Sequence, residues 1–105
     1  MGYGGYNQEA IRLPATDSIT TVAVAATSTA AQALPAAPGG ILLVSSNTDV
    51  YARFGASGVA AASASAYTIF IPAGTTFLMR QTTTHVRAIR DSADGVLSFT
   101  AVREN

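Results

Sequence analysis

From residue 18 onward apolar and polar residues alternate with a period of two, and clusters of turn-forming residues interrupt that alternation at short intervals. An extended chain turns successive side chains to opposite faces, so this pattern specifies strands with one buried face. In Ser18 to Ala25, Ile19 falls on one face and Val22 and Val24 on the other, and β-branched residues dominate, as a pleated surface favours. A short extended segment over Thr29 to Leu34 follows and ends at the breaker Pro35 to Gly40. GGILLVSS predicts a central strand over Gly40 to Ser45, its near-continuous apolar run implying burial on both sides.

The next pieces read as strands joined by tight reversals. Ser46 to Asp49 carry turn chemistry, and VYARFG then places Val50, Ala52 and Phe54 inward against Tyr51 and Arg53, so it is expected to form a β-hairpin with the preceding strand. Ala56 to Ala66 is rich in Ala, yet its serines compete for backbone hydrogen bonds and no apolar stripe runs through it, which favours a loop over a helix. AYTIFIPAG predicts a strand with Tyr67, Ile69 and Ile71 on one face and Thr68 and Phe70 on the other, turned back at Pro72 to Gly74 into Thr76 to Gln81. HVRAIR, the turn Asp91 to Gly95 and VLSFTAV complete the chain, with Leu97, Phe99 and Ala101 sharing a face. About seven or eight strands at this spacing specify an all-β, single-domain antiparallel β-sandwich or jelly-roll-like barrel over residues 18–105. Residues 1–17 are expected to be an N-terminal arm and lead-in.

Composition narrows the function classes. The 105 residues suit one domain. Only 11% are charged and the formal net charge is zero, which removes the counterion-release affinity of nucleic-acid binders and the attraction of polybasic segments to anionic lipid. With 49% hydrophobic residues and few charges, the surface must be built largely from Ser, Thr, Ala and Gly, a bland surface easily buried against a partner. The chain has no Cys, so neither disulfides nor thiolate chemistry enter, and stability must come from packing or assembly. Met1 to Ala10 lacks the basic and apolar regions of a secretory signal and the Ser or Thr of a myristoylation site. The stretch Thr20 to Val44 is broken by Pro and Gly before it reaches the ~20 apolar residues of a membrane helix. No nucleic acid and no membrane are expected as partners.

The candidates for chemistry each fit a plainer role. His85 is the single histidine, with no second ligand or acid near it in sequence, and reads as structural. A triad assembled across the sequence is not excluded by spacing, but no G-x-S-x-G is present. Asp91 and Asp94 read as a hairpin turn, since the further acidic positions of a calcium loop are missing. The glycines of Met1 to Gly5 are not placed between a strand and a helix as a phosphate loop requires. No enzymatic activity, metal or cofactor is expected.

Partner contacts are the remaining reading. Tyr3 and Tyr6, in the Gly-rich start MGYGGYNQ, are either anchors to a neighbouring subunit or part of a loose terminus. All six basic residues are Arg, the cation that suits interfaces, though a genome bias gives the same composition. Arg53, Arg80, Arg87 and Arg90 fall in predicted strands of the second half. Gathered on one sheet face they would pair with a partner's carboxylates; scattered, each would contribute about 0–1 kcal/mol.

The stretch Ile41 to Val102 resembles small structural proteins of tailed bacteriophages. The features that carry the resemblance are ILLVSSNTDVYARFG with its Phe54-Gly55 end, YTIFIPAGTTFLMR with a Pro-x-Gly hairpin, and the closing hairpin THVRAIRDSADGVLSFTAV. The resemblance implies a compact β-sandwich on the virion, made in the host cytoplasm. It implies most directly a capsid decoration (cement) protein that binds the major capsid protein, ties its neighbouring subunits together on the outer face of the head, and self-associates, often as a trimer. A head-spike, fibre-base or tail-associated adaptor is an alternative use of the same fold. A carbohydrate-binding β-sandwich using Tyr51 or Tyr67 is another.

Overall fold

The computed structural model describes residues 11–12, 19–36 and 40–104. Among them lie nine strands and no helix: β1 (Ile11–Arg12), β2 (Ile19–Val24), β3 (Gln32–Ala33), β4 (Ile41–Ser46), β5 (Val50–Gly55), β6 (Ile69–Ile71), β7 (Thr76–Arg80), β8 (His85–Arg90) and β9 (Gly95–Glu104). The Ala-rich segment 56–66 is a loop, as its serines and missing apolar stripe require. Of the lead-in expected over residues 1–17, Ile11 and Arg12 pair with Glu104 and Arg103 as β1.

The strands form two antiparallel sheets. One has the order β2-β9-β4-β7, with β1 on the end of β9, and the other the order β3-β8-β5-β6. Between β2 and β9 every connection changes sheet except β5 to β6, which is the strand arrangement of a jelly roll. β9 organises its sheet: residues 95–100 pair with β2 and residues 97–102 with β4.

The alternation read from the sequence sets the core. Val22, Val24, Leu42, Val44, Val50, Ala52, Val86, Ala88, Leu97 and Phe99 point between the sheets and are buried, while Ile19 on the other face of β2 is exposed. Phe99 is the largest fully buried side chain, and Phe54 meets it edge-on, ring centroids 5.9 Å apart at 85°. β4 is central, as predicted, but its outer residues Ile41, Leu43 and Ser45 are half-buried rather than enclosed.

The three expected hairpins are not hairpins. β4 and β5, β6 and β7, and β8 and β9 each lie in opposite sheets, so the turns at 46–49, 72–75 and 91–94 are arches across the sandwich. Polar groups that a surface hairpin would leave in water hold these arches to one another. Ser46 Oγ donates to Thr48 O (2.6 Å) and accepts from Thr48 N (3.3 Å), and both residues are buried. Thr48 Oγ1 donates to Ala93 O (2.5 Å), Val96 N to Asn47 Oδ1 (2.7 Å) and Asp91 N to Asp49 O (3.0 Å). From the third arch, Ala73 N donates to Asp49 Oδ1 (2.7 Å) and Gly74 N to Ser46 O (2.8 Å), with Gly74 in the left-handed region at φ 79°. No buried side-chain polar atom lacks a hydrogen-bond partner among the described residues.

Gly95 is the closest point of this junction. A Cβ there would stand 2.6 Å from Thr48 Cβ and nearer still to Asn47 Oδ1, although its φ is not in the left-handed region. Gly95→Ala is therefore expected to cost about 1–3 kcal/mol, the range for forcing an extra methyl into a packed site. Gly58→Ala, where nothing lies within 4 Å, is the control and should be within about 0.5 kcal/mol of the parent. Urea denaturation of both variants reads the difference, and equal midpoints would contradict the packing assigned to Gly95.

Candidate interaction surfaces

The outer face of the β2-β9-β4-β7 sheet follows directly from strand parity. Ile19 lies opposite Thr100, Thr100 opposite Leu43 and Leu43 opposite Leu78, which makes one row across four strands. At the strand spacing of about 4.8 Å the row is roughly 14 Å long. Above and below it stand Thr21, Ala23, Ser45, Thr76, Val96 and Ser98. Among the outward side chains of this face that the structure describes, Arg80 alone is charged. Three large apolar side chains stand in solvent here, Ile19 (43%), Leu78 (47%) and Val96 (41%).

The outer face of the β3-β8-β5-β6 sheet is built differently. Arg53 and Arg87 are direct cross-strand partners, a like-charge pair that costs energy unless other groups take the guanidiniums. Backbone carbonyls do so. Arg87 Nε donates to Thr29 O (2.7 Å) and its Nη1 to Val59 O (3.2 Å), while Arg53 Nη1 donates to Ala61 O (3.3 Å). The 56–66 loop is thereby folded over this face, with Ala62 buried and its N–H donating to Ser28 Oγ (3.0 Å).

The four strand-borne arginines accordingly do not gather into one patch. Arg53 and Arg87 sit together but hold the protein's own backbone, Arg80 lies on the opposite sheet, and Arg90 pairs with Asp94 at 2.6 Å. Period two alone cannot tell which sheet a strand joins, and the arches send β7 and β8 to different ones. Tyr3 and Tyr6 lie outside the described residues. His85 Nδ1 shares a hydrogen bond with Thr84 Oγ1 (2.9 Å), and no group of three metal-ligating side chains occurs among the described residues.

Next to the arginines the same face carries an aromatic cluster. Tyr51 and Phe70 are cross-strand partners with ring centroids 5.1 Å apart, and the Tyr67 ring packs on Tyr51 at 5.0 Å. Tyr67 does not share the inward face of Ile69 and Ile71. The strand begins only at Ile69, so residue 67 precedes the pleat and its ring turns outward, 44% exposed. Tyr51 Oη donates to Asp91 Oδ1 (3.0 Å). The sequence flagged Tyr51 and Tyr67 singly; Phe70 and the convergence of all three require the β5–β6 register.

A cavity of about 310 Å³ opens at the sandwich edge between β6 and β7, lined by Phe54, Ile69, Met79, Thr68, Thr82 and Thr83. No helix among the described residues is long and apolar enough to cross a membrane. Comparison with known protein families, with curated proteins and with solved structures gives no match.

The hydrogen bond to Asp91 raises the Tyr51 phenol above its ordinary value near 10, because ionisation would remove the donor and set phenolate beside carboxylate. A group whose folded value is raised stabilises the fold below the unfolded value and loses that contribution as pH rises through the folded one. The phenolate absorbance of the folded protein should thus show one tyrosine titrating late, and Tyr51→Phe should remove it. Asp91→Asn should move it to lower pH. An unchanged titration curve in Asp91→Asn would contradict the assignment.

Proposed function

We propose that this protein is a structural component of a tailed-phage virion, a decoration protein that covers part of the head and ties neighbouring major capsid subunits together. The observation that carries this reading is the outer face of the β2-β9-β4-β7 sheet: built from Ser, Thr, Ala, Ile, Leu and Val, with one charge among its described side chains and three exposed apolar side chains. Burying such a face desolvates mainly hydroxyl and apolar groups and few charges, so association gains apolar burial at modest electrostatic cost. Jelly rolls recur in viral shell proteins, which fits the reading by analogy of fold. The resemblance of Ile41 to Val102 to small phage structural proteins supports it from the sequence.

Electron microscopy of negatively stained virions carrying the labelled protein tests the placement. Label distributed over the capsid lattice is expected; label at one vertex or on the tail would assign the protein to a spike or adaptor instead. The double variant Leu78→Glu with Val96→Asp alters two exposed positions and should leave the melting temperature nearly unchanged. Its incorporation into particles should fall at least about tenfold, the equivalent of 1.4 kcal/mol. Wild-type incorporation of this variant would remove the sheet face from the reading.

A further inference from the structure

Near the arches, the outer face of the β3-β8-β5-β6 sheet carries rings and carboxylates that the assembly reading does not use. Tyr51, Tyr67 and Phe70 stand together with tilted rings, 50–56° between planes, rather than as a flat stack. Tyr67 and Phe70 are 44% and 36% exposed. Asp49 lies two residues before Tyr51 in the chain and Asp91 is bonded to its hydroxyl.

The charges around this cluster are unbalanced. Asp91 accepts from a phenol and Asp49 Oδ1 from the Ala73 N–H, both neutral donors, and neither carboxylate has a cationic partner among the described residues. The nearby arginines are engaged: Arg53 and Arg87 on backbone carbonyls, Arg90 on Asp94. The ring faces carry the negative end of the aromatic quadrupole and so add to the potential of the two carboxylates. The Tyr51 phenol is held above its ordinary value first by its hydrogen bond to Asp91 and less by the neighbouring Asp91 and Asp49 charges.

We propose that Tyr51, Tyr67 and Phe70, with Asp49 and Asp91 at their edge, form a docking site for a guanidinium or ammonium side chain presented by a protein partner. Charge complementarity selects this occupant. A planar guanidinium stacks on a ring face while its edge donors reach a carboxylate, and both attractions act on one group. The site is on the opposite sheet from the charge-poor face, so the inference does not rest on the assembly reading.

Ring-proton NMR of the full-length protein tests it with three probes: N-acetyl-arginine methylamide, its neutral citrulline counterpart and methyl β-D-glucopyranoside. The arginine probe should shift the Tyr51, Tyr67 and Phe70 resonances saturably in the millimolar range, the citrulline probe several-fold more weakly. Asp49→Asn combined with Asp91→Asn keeps acceptor oxygens while removing charge, and should weaken the arginine probe several-fold. Tyr67→Ala, at an exposed loop position, should do the same without loss of folded signals elsewhere. Equal shifts from citrulline, or no saturable shift, would overturn the proposal. Stronger binding of the glucoside would also overturn it and identify a neutral sugar platform on the same rings.

Discussion

Three arches meet at Ser46 to Asp49, and that meeting ties together the strands that enter and leave them. Asn47 takes the Val96 N–H, Thr48 the Ala93 carbonyl, and Asp49 both the Asp91 and the Ala73 N–H. Each such bond is worth about 1 kcal/mol net, and because Ser46 and Thr48 are buried, leaving their polar groups unpaired would cost more, which favours this arrangement of the junction. It sets β4 beside β9 in one sheet and β5 beside β8 in the other. The first pairing creates the charge-poor outer face; the second brings Tyr51 to Asp91, forty residues away in the chain.

How much of this was legible in the sequence depends on the range of the interaction. Strand existence and the inward residues were readable because period two is local: Val22, Val24, Leu97 and Phe99 lie where the alternation puts them. Sheet membership was not, because a turn sequence reports a reversal without saying whether the chain comes back beside itself or across the sandwich. Asp94-Gly95 is the sharpest example. The dipeptide signals a two-residue hairpin, yet Gly95 is small because Asn47 and Thr48 press on it. Tyr67 failed for a local reason, since a residue just before a strand is free of the pleat.

The arginines show how a site reading changes when partners become visible. Four cations in strands suggested a surface awaiting carboxylates. In the fold, Arg53 and Arg87 solve an internal problem, a like-charge cross-strand pair, by donating to the loop that covers them. The two sheets thus present opposite chemistry. One face is nearly free of charge and keeps Ile19, Leu78 and Val96 in water; the other is covered over part of its area by its own loop and beside it exposes rings edged by carboxylates.

The central claim is that the charge-poor face is what assembly covers, and the absence of cysteine from the chain makes a direct measurement possible. Leu78→Cys places one thiol on that face, and Ser65→Cys places one on the loop over the opposite sheet. Maleimide labelling rates are compared for the free protein and for the protein in the assembled particle. Leu78→Cys should react when free and be protected on assembly, with Ser65→Cys reactive in both states. Equal reactivity of Leu78→Cys in the free and assembled protein would contradict the account.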